Sequence, residues 1–521
     1  MQIANCEFKK ISDPGEVFCF AFSILHFPFY NRAEFEVKIL IATPEAVPFA
    51  KTGGLADVTG ALLGEYNRKK EEACLIMPLY KGVREKFRLK NTGLKVKVPV
   101  SNNNVTGRIF SSGPQADKAA AYFLECNEFF DRDDLYGTPL GDYSDNASRF
   151  VFFSRGILEA CKALEFKPDV IHCNDWQTGL LPMYLKTLYR RDRFFSGTAS
   201  VITIHNLGYQ GLFPPSAMPL TGFDPVWFNP EGIEFYGKIS FLKAGLIFAD
   251  FITTVSNNYA REILGREHGF GLDGVLRKRA SALAGIVNGI DYNEWNPESD
   301  SLIQKKYSVI NIEGKRRCKL QLLEDCSIKP DIKMPVTGMV GRLSSQKGVD
   351  LVLEALEEII STGANLIILG KGDEIFHKKL SDAAEKYKGR VYVKIGFEES
   401  LAHKIYAGAD MFLMPSGYEP CGLGQLIAMR YGTIPVARKT GGLADTVMDY
   451  EPLTGNGTGF LFSDYTSSAL SGCLKRALCV YVDKIRWQKL VLNAMKTDFS
   501  WGNSAKKYIG LYNRVIEVKR Q

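Results

Sequence analysis

Three groups of residues in this chain have the types and spacing to do chemistry. In GMVGRLSSQKGVDLV, Arg342 and Lys347 flank a polar loop that follows an apolar run and enters a helical pattern at Gly348. A guanidinium that can fork onto phosphate oxygens, with a mobile ammonium beside a helix start, would stabilise a departing diphosphate without a metal. In MPSGYEPCGLGQLIAM, Glu419 precedes the turn Cys421, Gly422, Leu423. A carboxylate there can receive sugar hydroxyls while the adjacent amides receive oxygens. The third group is the heptapeptide KTGGLAD, present twice, at Lys51 to Asp57 and at Lys439 to Asp445. In both copies paired glycines lead into a helical pattern, where free N–H groups can meet an anion. Taken singly, each group has a plainer explanation: a solvated basic loop, a capping carboxylate or a tight turn. Neither heptapeptide is a G-x-x-x-x-G-K-[ST] or G-x-G-x-x-G motif, which weighs against classical NTPases and dehydrogenases.

The elements that must carry these groups follow from alternation of short β-branched runs, glycine-rich turns and amphipathic stretches, the pattern of parallel sheets with crossover helices. Strands are expected at 37–42, 73–77, 169–173, 199–205 and 251–255, and in a second series at 335–340, 364–370, 391–395, 410–414 and 433–437. A polar stretch rich in Asn, Asp and Pro separates the two series, with a boundary near Asn288 to Pro297. The expectation is therefore an α/β chain of two doubly wound domains, 37–287 and 288–499, followed by a helix at 500–521. The first heptapeptide follows the first strand of its series and the second follows the fifth of the other. Tandem duplication would match loop to loop, so the repeat is not read as a duplication.

Composition narrows the function classes. The 521 residues are 45% apolar and 24% charged, and the net charge of +7 contains no basic block of the kind that binds nucleic acid. Eleven cysteines show neither C-x-x-C pairs nor zinc-type spacing, which indicates a reducing, cytoplasmic setting. No apolar run suggests a membrane span. Residues 1–36 are read as an N-terminal extension of unknown role; the apolar stretch VFCFAFSILHFPFY lacks an A-x-A-like cleavage site and is not taken as a signal peptide. The D-x-D pattern of DRDD, Asp131 to Asp134, is assigned to turn and cap residues, so neither a metal nor another cofactor is expected.

Seven blocks then combine in order: KILIATPEAVPFAKTGGLADV, HCNDWQTGLLP, ITIHNLGYQGLF, IVNGIDYNEWNP, GRLSSQKG, PSGYEPCGLGQL and TGGLADTV. Together, from about Val37 to Tyr512, they resemble the bacterial glycogen synthases and plant starch synthases. The resemblance implies a GT-B architecture, with two Rossmann-like domains facing across a deep cleft and the last helix crossing back to the first domain. It implies transfer of glucose from ADP-glucose to the non-reducing end of an α-1,4-glucan with retention. By the same resemblance, His205, Arg342, Lys347 and Glu419 are the catalytic set. Donor contacts fall on Lys51, Gly53, Gly54, Cys421, Gly422, Leu423, Thr440, Gly441 and Gly442, and acceptor contacts on Asp57, Tyr136, Asp175 and Trp176. Two departures stand out: the extension at 1–36, and Gly417-Tyr418 where an Arg-Phe pair is more frequent. A UDP-glucose enzyme of the same architecture and an inactive glucan-binding homologue are the alternatives.

Overall fold

The computed structural model describes residues 37–113, 120–138 and 140–521, so the expected extension lies outside the described residues. Val37–Gln521 forms one unit with two large sheets and two small ones, of three and two short strands. The first has nine strands, in the spatial order Leu283–Gly285, Phe251–Thr254, Ala199–Ile204, Val170–Asn174, Lys38–Ala42, Glu72–Pro78, Ala120–Glu125, Asn103–Ser111 and Lys90–Val100. The second has six: Val391–Ile395, Asn365–Gly370, Val336–Val340, Met411–Met414, Ile434–Arg438 and Phe460–Phe462. All ten expected strands are present within about two residues at their ends. Their runs are almost wholly buried, as Ala199–Ile204 and Asn365–Gly370 show, because helices cover both faces of a parallel sheet.

Each sheet organises its own apolar core. Ile39, Leu75, Phe123, Ile171 and Ile202 belong to one, and Val336, Ile367, Ile405, Phe412 and Val436 to the other. The strands of these two large sheets that sequence missed are the edge pair Lys90–Val100 and Asn103–Ser111, antiparallel to each other, together with Ala120–Glu125, Leu283–Gly285 and Phe460–Phe462. KNTGLKVKVPV alternates burial along the edge, so half of it is polar and it resembles no continuous core run.

The last helix, Trp501–Arg520, has the expected span and returns to the first sheet. Tyr512 Oη lies 2.9 Å from Tyr66 Oη and 2.7 Å from His172 Nδ1, while His172 Nε2 lies 2.6 Å from Thr203 Oγ1. Burial pushes the His172 imidazole down to about 3, so the ring is neutral and fits this hydrogen-bond chain without a buried charge. At the helix tip Lys519 reaches Asp250 at 3.0 Å and Arg520 reaches Asp169 at 2.6 Å.

Candidate functional site

Lys347 and Glu419 come together because two loops at strand ends are joined along their backbones. Gly417 N–H donates to Gln346 O at 3.0 Å, and Gln346 Nε2 donates to Tyr418 O at 3.2 Å. Gly348 adopts φ +75°, and a Cβ there would lie 2.2 Å from Pro415 O, so only glycine allows this approach. Lys347 Nζ is thereby set 2.5 Å from Glu419 Oε2, on which Ser416 Oγ also converges at 3.3 Å. The Glu419 carboxylate is buried and held by its partners. Arg342, at the entrance of the same loop, is exposed, and no described residue takes its guanidinium in a hydrogen bond or ion pair.

The turn after Glu419 is built by Gln425, whose Nε2 donates to Cys421 O at 2.9 Å and to Gly422 O at 3.1 Å. Gly422 has φ +75°, and Leu423 leads into the helix Gly424–Arg430. Burial pushes the Cys421 thiol up to about 12, which leaves the sulfur unreactive and the turn's value in its backbone.

Across from this turn lies the first heptapeptide. Gly53 is extended at φ −157° and caps the helix Gly54–Arg68; a Cβ on Gly54 would meet Leu423 Cδ1 at 3.8 Å. Lys51 Nζ is 2.7 Å from Asp57 Oδ1 and remains half exposed. The loop hangs on Glu45, a buried residue that sequence reading did not single out. Its carboxylate accepts Thr52 N–H at 2.5 Å, Thr52 Oγ1 at 2.6 Å and Tyr136 Oη at 2.6 Å. Tyr136 therefore positions this loop through Glu45. A buried acid inside a block already assigned to a strand end gave no signal of its own.

His205 follows the strand Ala199–Ile204. Its backbone N–H donates to Asp175 Oδ1 at 2.8 Å, and its Nε2 lies 2.9 Å from Asn174 Oδ1. Burial pushes the His205 ring down to about 3, so it is neutral at physiological pH. Asp175 adopts φ +55°, a strained conformation for a non-glycine residue, and burial pushes its carboxyl up to about 7 against the N–H groups of His205 and Asn206. Asp175 thus fixes the His205 backbone. Trp176, expected on the acceptor surface, packs its ring 4.8 Å from Phe150 and 5.7 Å from Phe213, and a Cβ on Gly211 would strike it at 2.4 Å.

The second heptapeptide has a different setting. Gly441 N–H donates to both oxygens of Glu262, at 3.0 and 3.1 Å, and Thr440 Oγ1 is 3.3 Å from the same carboxylate. Asp445 Oδ2 accepts Asn258 N–H at 2.8 Å. A Cβ on Gly442 would lie 2.1 Å from Cys421 O, and one on Gly441 1.9 Å from Glu419 O. This copy therefore locks the Glu419 turn in place and joins residues packed in one core to residues packed in the other. Tyr418 adds to that junction. Its hydroxyl bonds Tyr259, and its ring lies 5.6 Å from both His268 and Phe270. Beside it is a cavity of about 490 Å³ lined by Asn206, Tyr209, Phe270, Gln346, Tyr418 and Tyr465 among others. In the DRDD loop, Asp133 is engaged by Lys81 at 2.6 Å.

Comparison with known proteins agrees with this geometry. Residues 38–278 match the model of the starch synthase catalytic domain, and residues 327–479 that of glycosyl transferases group 1. A glycogen synthase of Thermodesulfovibrio yellowstonii is 48% identical over 493 residues, covering 92% of this chain and 98% of the relative. One from Syntrophotalea carbinolica is 47% identical, covering 92% and 99%. Among solved structures, the catalytic domain of starch synthase IV from Arabidopsis thaliana, bound to ADP and acarbose, superposes with a TM-score of 0.83 at 31% identity, covering 93% of this chain and all of that one.

Proposed function

The chain belongs to the glycogen and starch synthase family of glycosyltransferases, and from that premise we propose that it moves glucose from ADP-glucose to the 4-hydroxyl of an α-1,4-glucan end with retention of configuration. The observation that carries the reading is the Lys347–Glu419 pair at 2.5 Å, held beside the unengaged Arg342 and opposite the first glycine loop. Cleavage of the sugar–phosphate bond gathers negative charge on the diphosphate and positive charge on the anomeric carbon. Arg342 and Lys347 neutralise the first, and Lys51 approaches from the opposite wall. Glu419, held by Lys347 and Ser416, accepts glucose hydroxyls and is assigned to orientation, not to covalent attack. The backbone of Cys421 to Leu423 supports the same sugar, and neutral His205 presents its backbone carbonyl to the anomeric carbon. Thr440, Gly441 and Gly442 serve the donor only once Glu262 has released the Gly441 N–H. Exposed Tyr209, on the wall of the aromatic cavity, offers an apolar face to the acceptor glucan.

Since the two cations take the part a metal would play for the diphosphate, a chelator leaves turnover unchanged while the fold is intact. The described residues contain no helix long and apolar enough to cross a membrane, and their cysteines are free thiols; a cytoplasmic setting is proposed. Radiolabel transfer onto glycogen, with ADP-glucose and UDP-glucose side by side, tests the whole reading. Preference for ADP-glucose supports it, preference for UDP-glucose replaces the donor, and no transfer from either overturns it.

A further inference from the structure

Away from the proposed reaction, one cluster has a ligand-ready geometry. Glu399 and His403 lie one turn apart on the helix Glu399–Gly408, and Glu294 comes from the segment connecting the two sheets. One ligand atom from each lies within 4.8 Å of the other two. His403 is 2% exposed, and its Nδ1 lies 2.8 Å from Asp300 Oδ2, which also accepts Tyr431 Oη at 2.6 Å. Trp295 stacks on the imidazole at 4.1 Å and 16°, fixing the ring plane. The other nitrogen, Nε2, is buried with no partner.

A buried nitrogen without a partner is costly, and here the carboxylate on the opposite side of the ring accounts for it. With Asp300 accepting the Nδ1 proton, Nε2 carries the lone pair. A carboxylate–histidine pair of this kind orients and strengthens a metal-ligating imidazole. We propose that Glu294, Glu399 and His403 bind a divalent transition cation of the zinc class, with water completing the coordination. One imidazole and two carboxylates suit that class. Bonds of about 2.0–2.1 Å in a tetrahedron bring donor atoms to roughly 3.3 Å of one another; both glutamates are exposed and free to close in, while His403 stays fixed.

The site shares no residue with the Lys347–Glu419 pair. It ties the connecting segment to a helix of the second core. Glu294 also lies in the field of Lys51 and Asp57, so a bound cation adds positive potential beside the first heptapeptide. No metal is expected from the sequence, because the E-x-x-x-H of Glu399 and His403 is a weak pattern whose third ligand, Glu294, is remote in the chain.

The test is calorimetric titration of the chelator-treated full chain with Zn²⁺, repeated on Glu294→Gln and Glu399→Gln, whose surface positions leave the fold intact by circular dichroism. One site per chain is expected, weakened about tenfold or more in each variant, with Zn²⁺ raising Tm in the parent protein only. Co²⁺ in place of Zn²⁺ should give d–d bands without thiolate charge transfer. Absence of Zn²⁺ binding, equal binding by parent and variants, or a thiolate spectrum from a cysteine such as exposed Cys479 overturns the proposal.

Discussion

The two copies of KTGGLAD both lead into helices, at Gly54 after an extended Gly53 and, one position earlier in the heptapeptide, at Gly441 after Thr440, and the reasons for their glycines are opposite. In the second copy the protein itself forbids a side chain: Cβ atoms at 441 and 442 would lie 1.9 and 2.1 Å from backbone oxygens of the Glu419 turn. In the first, a Cβ on Gly53 meets nothing within 4 Å, and φ −157° is open to any residue. The fold itself does not require glycine at this position. The aspartates diverge as well. Asp57 pairs with Lys51 inside its own loop, whereas Asp445 reaches across to Asn258. From sequence both copies share one backbone need; in the structure the first glycine pair is sterically open at Gly53 and the second is closely packed on the Glu419 turn.

Substitutions can break this comparison. Lys347→Ala sets the upper end, with kcat about 10²–10³-fold lower if the ammonium meets the departing charge; unchanged kcat would remove the reaction from this wall of the cleft. Gly442→Ala should cost about 3 kcal/mol in urea unfolding because a rigid carbonyl occupies the space. Gly53→Ala should cost less than about 1 kcal/mol while lowering kcat/KM. Equal stability losses at the two positions would refute the distinction. Lys51→Ala should reduce kcat/KM about tenfold to a hundredfold, the worth of one charge-assisted hydrogen bond, with Lys439→Ala within about twofold of the parent.

The smallest expected effect concerns pH. Burial raises the Asp445 carboxyl above its ordinary 3.8, against the Asn258 N–H that lowers it. A raised acid binds its proton more tightly in the folded state. Its contribution to stability is fully present below about 3.8 and is lost as pH rises through the folded value. Unfolding titrations of Asp445→Asn should therefore lose a small component that declines with pH over this window.

Much of this was legible in the chain, for identifiable reasons. Central strands such as Ala199–Ile204 are buried on both faces and announce themselves as apolar runs, and Arg342, Lys347 and Glu419 stand at strand ends where loops are short. Glu45 and Glu262 were not legible. Their roles depend on distant backbone N–H groups at Thr52 and Gly441, and a hydrogen bond across the chain leaves no periodicity. The packing of Trp176 was not legible either, because an aromatic ring at a strand end has the same letter whether it faces solvent or, as here, Phe150 and Phe213.

The docking of Trp501–Arg520 has a consequence for biosynthesis. Tyr508 and Tyr512 are fully buried in the core of the first sheet, beside Tyr66 and His172. A helix that follows the whole second series of strands in the chain thus completes the core of the first. The first half has its full core only once Trp501–Arg520 has been made. A cut near Asn288 would therefore leave the first half lacking part of its own core, and expression of the two halves as separate polypeptides would have to restore that helix by association.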